Sequence, residues 1–228
     1  MAGSVACGPH AHIPPVPVGL VSALAPSDTD AVLARALSPI LYLQRNETFP
    51  LKRVVAVVNP TRPVIAYYLL WRDDVHGAWI PVTVPTDEEV VWVGYDSTHA
   101  PTDVWTYWHG IVLHTGWPRR RVEIDVQWGK HGSLPRGVVE STLPRSRSLN
   151  FFYAATIFGE PDILLGAISR PGPKGFFGSY RRYRDFSRVL PLEHRIDVVA
   201  RTEDPRPVLR AVFGSKYSNK LLWPPTQP

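Results

Sequence analysis

Histidine and acidic side chains concentrate in the middle of the chain, between Trp71 and His131. Imidazole and carboxylate groups are the ordinary protein ligands of Zn²⁺, Mn²⁺ and related divalent ions. Asp87 and Glu89 stand two residues apart at the start of a predicted strand, where alternate side chains share a face and two carboxylates can bind one cation. The alternative is that residues 87–89 form a solvated turn. The segment contains His76, His99, His109, His114, His131, Asp73, Asp74, Asp87, Glu88, Glu89 and Asp96.

The same segment is compatible with a hydrolytic site. His109 or His131 could act as a general base, because histidine titrates near neutral pH, with Asp74 or Asp125 orienting its ring. The chain has no Gly-x-Ser-x-Gly elbow, no phosphate-binding P-loop and no Gly-x-Gly-x-x-Gly fingerprint after a strand. Nucleotide chemistry is therefore not predicted, and a hydrolase that uses His109 or His131 is one alternative function.

Seven of the eight tryptophans lie between Trp71 and Trp128. Large aromatic side chains most often fill a core while their polar tips find hydrogen-bond partners. On one exposed face they would instead form a platform for a carbohydrate or a protein, which is the metal-free alternative function. Solvent exposure separates the two hypotheses, because buried tryptophans beneath Asp and His favour an ion site and exposed tryptophans favour the platform.

The order of motifs between Ile65 and Pro135 resembles that of two related families. These are the necrosis- and ethylene-inducing-like cytolysins and the vacuolar-protein-sorting family sixty-two. Their contiguous Gly-His-Arg-His-Asp-Trp-Glu signature is interrupted here, since ten residues separate His76 from Asp87. The matching landmarks are an aromatic strand ending in an acidic loop (Ile65–Asp74), His76-Gly77, an acidic run leading into a valine-rich strand (Asp87–Val93), Trp108-His109-Gly110, and Trp128–Pro135.

This resemblance implies a β-sandwich fold and a divalent-metal site. The metal ligands of the families would correspond to Asp74 and His76 on the loop and to Asp87 or Glu89 at the start of the next strand. The leading expectation is therefore a divalent-metal-binding protein that engages a surface ligand such as a glycan or a lipid head group.

The elements that must position these residues are mostly strands. Ser27 or Asp28 can cap a helix that ends before Pro39, and a short helix is expected near the end of the 205–213 segment. The prolines before residue 27 exclude a continuous helix, so residues 1–26 are predicted to be an extended arm. We expect residues 27–228 to form one mainly β domain, an antiparallel β-sandwich of the jelly-roll kind with an N-terminal helix and short C-terminal helices. The predicted strands span residues 40–43, 52–58, 64–71, 88–94, 103–108 and 121–128.

Composition narrows the class of protein. The chain has 228 residues, a formal net charge of +5 and one cysteine, which excludes an intrachain disulfide. The arginine runs at 119–121 and 145–147 are expected to face water, so no specific nucleic-acid partner is predicted. No transmembrane segment is predicted, since no run of 18 apolar residues occurs. Ser4–Gly8 resembles the cleavage end of a lipoprotein signal, so envelope anchoring or secretion is expected if Cys7 is lipidated and a cytoplasmic protein otherwise.

Overall fold

A computed structural model describes residues 23–43, 47, 49–72, 87–108, 110–127, 131–138 and 186–226. Two α-helices and ten strands lie in these ranges, and the strands are rich in valine, isoleucine and aromatic residues, which suit a pleated surface. Two 3₁₀ turns, Leu192–His194 and Gly214–Lys216, connect the C-terminal elements. The elements are α1 (Thr29–Ala36), β1 (Ile40–Leu43), β2 (Leu51–Val58), β3 (Val64–Trp71), β4 (Glu88–Tyr95), β5 (Pro101–Trp108), β6 (Ile111–Gly116), β7 (Glu123–Val126), β8 (Ser133–Pro135), β9 (Arg188–Pro191), β10 (Val198–Arg201) and α2 (Arg206–Phe213).

The strands form two sheets. A six-stranded sheet has the order β10-β2-β3-β4-β5-β6, and a four-stranded sheet has the order β8-β7-β1-β9. Most neighbours are antiparallel, but β10 pairs with β2, and β1 with β7, in parallel. The prediction of a mainly β, mostly antiparallel fold is confirmed.

Both faces of the six-stranded sheet are covered at its centre. On one face Tyr67 and Leu69 share a core with Leu41 and Ile124 of the smaller sheet. On the other face Tyr68 and Trp92 pack with the apolar side of α2. Strands buried on both sides lose the alternation of polar and apolar residues, and all eight residues of β3 are buried.

The same double burial extends to β4. Alternation in its sequence predicts one buried and one polar face, yet every residue from Glu88 to Gly94 is buried. Alternation does occur in β7, where Ile124 and Val126 are buried and Glu123 and Asp125 are half-buried. The β7 strand is shorter than the predicted 121–128 span, since it begins at Glu123 and ends at Val126.

Local chemistry explains where the two helices begin and end. The Asp28 side chain accepts a hydrogen bond of 2.8 Å from the Asp30 backbone N–H, which caps α1. Gly214 follows α2 with a φ of 59°, a conformation that favours glycine. Within the described ranges, no helix is both long enough and apolar enough to cross a membrane.

The C-terminal segment crosses the α2 side of the six-stranded sheet. The carbonyl oxygen of Leu222 accepts hydrogen bonds from the Tyr68 hydroxyl and, at 3.0 Å, from the Trp92 indole N–H. Trp223 donates to the Glu203 carbonyl at 2.7 Å. This segment thereby brings Ser218 and Lys220 to the N-terminal end of β4, where the candidate site lies.

Candidate functional site

The candidate site lies where β3 ends and β4 begins. These strands are antiparallel neighbours, with Leu69 opposite Glu89 and Leu70 opposite Glu88. The Trp71 backbone N–H donates to the Asp87 carbonyl at 2.9 Å, which closes the pair at this end. The sheet therefore fixes the backbone of three consecutive acidic residues at its end.

Asp87, Glu88 and Glu89 are all buried, with 5%, 0% and 5% of their surface exposed. The solvated-turn interpretation of this run is therefore wrong. A buried carboxylate must be paired, hydrogen-bonded or protonated, because the ionised form is costly away from water. The partners of these three side chains consequently define the chemistry of the site.

His131 is the central partner. Its side chain is fully buried, and its Nδ1 hydrogen-bonds to Asp87 Oδ2. Its Nε2 lies 3.3 Å from Oε1 of Glu47, which the Phe49 backbone N–H also holds at 2.9 Å. Its ring stacks on the Trp71 indole, with centroids 4.1 Å apart and planes 5° apart. The imidazole is thus fixed between two carboxylates and an aromatic face.

The protein stabilises the charged form of His131. Burial by itself lowers the pKa of the imidazole, but Asp87 and Glu47 raise it to about 9 through their charges and hydrogen bonds. His131 therefore carries its proton at neutral pH. A protonated imidazole cannot accept a proton, so this histidine does not have the properties of a general base at neutral pH.

Glu89 is paired with a lysine from the C-terminal segment. The Lys220 ammonium group lies 2.7 Å from Glu89 Oε1. Glu89 Oε2 is buried and has no hydrogen-bond partner among the described residues. Burial raises the pKa of Glu89 to about 8, a rise that Lys220 opposes and Asp87 reinforces. Glu89 is therefore close to its titration point near neutral pH.

Glu88 lies beside a different partner. Its Oε2 accepts hydrogen bonds from the Ser218 backbone N–H at 2.7 Å and from the Ser218 hydroxyl at 3.1 Å. Burial raises the pKa of this carboxyl, and the hydrogen bonds from Ser218 oppose the rise. Adjacent strand residues point to opposite faces, which separates Glu88 from Asp87 and Glu89.

Buried acids outnumber buried bases at this end of the sheet. We call Glu47, Asp87, Glu89, His131 and Lys220 the acidic cluster. With all groups ionised it has three negative and two positive charges, and Glu88 next to it adds a fourth negative charge. Within the described residues, no three His, Cys, Asp or Glu side chains form a group that could hold a metal ion by itself.

The residues predicted from the sequence divide into three groups. Asp87, Glu89 and His131 come together in the acidic cluster. Asp125, considered as an orienting group for a catalytic histidine, instead lies on the smaller sheet with its Oδ1 3.2 Å from Arg136 Nη1. The other predicted site residues, Asp74, His76 and His109, are outside the described residues.

Sequence reasoning missed Glu47 and Lys220, which lie far along the chain from Asp87. Neither belongs to a metal-binding or catalytic motif, and only the fold brings them to the start of β4. The described tryptophans at the centre of the chain are mostly buried: Trp71, Trp92, Trp108 and Trp117 have at most 5% of their surface exposed. Trp105 is half-buried.

No protein-family model matches this chain, and neither does any curated protein or solved structure. The resemblance to the cytolysins and to the vacuolar-protein-sorting family therefore stays a prediction.

Proposed function

We propose that this chain is a divalent-cation-binding β-sandwich protein that uses the bound ion to engage a surface ligand, either a glycan or a lipid head group. The ion would be held at the start of β4 by Asp87 and Glu89. The observation that carries the proposal is the buried excess of carboxylates there, which includes one oxygen, Glu89 Oε2, with no hydrogen-bond partner among the described residues. We also propose that the strands of the sandwich are connected as in a jelly roll.

The energetics of the cluster support a cation. A buried carboxylate can be neutralised by a proton or by a positive ion. The raised pKa of Glu89, about 8, means that protonation already competes with ionisation near neutral pH. A divalent ion that replaces the proton would supply the missing positive charge and a partner for the free oxygen.

The donor chemistry indicates which ions to test. Carboxylate oxygens suit Mg²⁺, Ca²⁺ and Mn²⁺, whereas imidazole suits Zn²⁺ and its neighbours. Both nitrogens of His131 face carboxylates, so oxygen-preferring ions fit the described residues better. Asp87 and Glu89 would be only part of the ligand set, and Asp74 and His76 are the predicted remainder.

Two observations weigh against the alternatives. A tryptophan platform requires exposed indoles, and four of the described tryptophans are buried. A hydrolase based on His131 requires an imidazole that accepts a proton, whereas Asp87 and Glu47 keep this one charged by raising its pKa to about 9.

Metal content tests the first half of the proposal. The protein is purified without chelator or affinity tag and analysed for metals beside the double variant Asp74→Ala, Asp87→Ala. The exposed acid Glu203 supplies the control variant Glu203→Gln. We expect near-stoichiometric metal in the wild type and the control and little in the double variant. Equal metal content in all three proteins would contradict the proposal.

Ligand binding tests the second half. Vesicles with anionic or glycosylated head groups are sedimented with the protein, with and without a chelator. Binding that the chelator abolishes in the wild type and in Glu203→Gln supports an ion-dependent surface ligand. Binding that survives the chelator would show that the ion is not required.

A further inference from the structure

A second polar site lies at the opposite end of the six-stranded sheet. A cavity of about 210 Å³ opens there, and its polar lining includes Asp30, Arg62, Tyr95 and Arg201. The acidic cluster is at the Trp71 end of β3, whereas this cavity is at the Val64 end. An eight-residue strand spans roughly 23 Å, so the two sites are separate.

Four elements hold this lining in place. Asp30 belongs to α1, Tyr95 ends β4, Arg201 ends β10, and Arg62 lies in the turn between β2 and β3. That turn is fixed because Asn59 Oδ1 accepts hydrogen bonds from the backbone N–H groups of Thr61 at 3.0 Å and Arg62 at 2.9 Å. Hydrogen-bonded backbone therefore frames this side of the cavity.

The charges of the lining favour an anion. Arg62 and Arg201 contribute two positive charges and Asp30 one negative charge, so the local sum is +1. Arg201 Nη1 lies 3.0 Å from Asp30 Oδ2, and its side chain remains 52% exposed. Guanidinium groups bind carboxylates and phosphates through paired N–H donors. Two of them in one concavity are suited to an anionic group.

The other polar groups favour hydroxyls on the same ligand. Burial and the charge of Asp30 raise the pKa of Tyr95, and Arg201 lowers it, so the phenol lies within electrostatic reach of both. A carboxylate accepts hydrogen bonds from hydroxyls, and a phenol both donates and accepts. The half-buried Pro60 and the exposed Pro63 also line the cavity and add a small apolar surface, which suits the C–H groups of a sugar ring.

We infer that this cavity binds a sugar acid, that is, a single sugar ring with one carboxylate. Its volume of about 210 Å³ is that of roughly seven water molecules in the liquid, which matches the size of a compact ligand. The carboxylate would meet Arg62 and Arg201, and the ring hydroxyls would meet Asp30 and Tyr95. This inference concerns a different end of the sheet and does not depend on the cation site.

Titrations followed by NMR test the inference with three probes: D-glucuronate, neutral D-glucose and inorganic phosphate. We expect saturable shifts for glucuronate that centre on residues 59–63, Tyr95 and Arg201, and at least about tenfold weaker binding of glucose, because the charged hydrogen bonds are lost. Glucuronate binding no stronger than that of glucose, or phosphate binding equal to that of glucuronate, would overturn the assignment.

Variants locate the binding. Arg201→Gln and Tyr95→Phe should each weaken glucuronate binding, the first by about tenfold or more. Arg206→Gln is the matched control, because Arg206 is exposed and pairs with Asp204 outside the cavity. Tyr95→Phe keeps the aromatic ring, so it tests the site even if Arg201→Gln reduces folding. Unchanged binding in a folded Arg201→Gln protein would contradict the inference.

Glu89→Gln should leave glucuronate binding unchanged, which separates this site from the proposed cation site.

Discussion

His131 stacks face to face on Trp71, with ring centroids 4.1 Å apart and planes 5° apart. The stack places a charged imidazole against the last residue of β3, directly beside the carboxylate of Asp87 that precedes β4. The two carboxylates keep His131 protonated by raising its pKa to about 9, and the indole face of Trp71 attracts the resulting cation. The carboxylates and the imidazole of the acidic cluster are thus buried like the apolar core, yet they are ionisable side chains.

Removal of the His131 imidazole should destabilise the protein strongly. The variant His131→Asn leaves Asp87 and Glu47 buried with their charged partner gone, which costs about 3–5 kcal/mol for comparable buried pairs. Urea unfolding monitored by tryptophan fluorescence measures the difference. His194→Asn is the control, since the His194 side chain is 81% exposed and its loss should change stability by at most about 0.5 kcal/mol. Similar losses in both variants would contradict the central role of His131.

Stability should fall as pH rises from about 6.5 to about 9. His131 has a raised pKa of about 9 in the folded protein, so its contribution is complete below its unfolded pKa of about 6.5 and is lost as pH rises through 9. The effect is on the order of 3 kcal/mol. The raised pKa of Glu89, about 8, acts in the same direction from about pH 4.5 upwards.

Urea unfolding across this pH range, with the wild type and Glu89→Gln compared in the presence of a chelator, measures the effect. Glu89→Gln should show a smaller decrease between pH 6 and pH 8, because its side chain does not ionise. A free energy of unfolding that is constant or rises over this range would contradict the assigned charge states.

A methyl group at Gly132, next to His131, should destabilise the protein. A Cβ there would lie 2.9 Å from Trp108 Cε3 and 3.0 Å from Gln127 Oε1, so Gly132→Ala must displace the Trp108 indole or the Gln127 side chain. We expect a loss of about 1–3 kcal/mol. Gly116→Ala is the matched control, since no atom lies within 4 Å of the Cβ position there. Thermal unfolding compares the two, and equal midpoints would contradict the tight packing of Trp108 and Gln127 against Gly132.

Lys220 should compete with a bound cation. Its ammonium group lies 2.7 Å from Glu89 Oε1, and a neighbouring positive charge repels an incoming ion. Lys220→Met should therefore raise the affinity for a divalent cation by about tenfold in calorimetric titrations above pH 8. Lys52→Met, which removes an exposed lysine from β2, should have no such effect. Equal or weaker cation binding by Lys220→Met would exclude this competition.

The parts of the fold that follow from local pattern could be predicted from the sequence. Runs of β-branched and aromatic residues predict β1 to β5 closely, and Asp28 marks the start of α1. The edge strands β6, β8, β9 and β10 do not follow from the sequence. Strands β8, β9 and β10 have only three or four residues, which carry too little periodicity. In β6 the apolar residues Ile111, Val112 and Leu113 are consecutive, so polar and apolar residues do not alternate. The burial of β4 on both faces also cannot be predicted from its own sequence, since it depends on α2 and the C-terminal segment.

The candidate site was predictable only in part. Asp87 and Glu89 stand out because their spacing places both on one face of a strand. His131 was considered a possible base, and only the positions of Asp87 and Glu47 show that it is held as a cation. Glu47 and Lys220 carry no local signal, because long-range contacts alone bring them to β4.

Calorimetric titration with Ca²⁺, Mg²⁺, Mn²⁺ and Zn²⁺ tests the proposed cation site most directly. It compares the wild type with Glu89→Gln and Glu203→Gln above pH 8, where Glu89 is ionised. The proposal predicts saturable binding near one ion per chain in the wild type and in Glu203→Gln, and its loss in a folded Glu89→Gln protein. No saturable binding in the wild type, or equal binding in all three proteins, would contradict it.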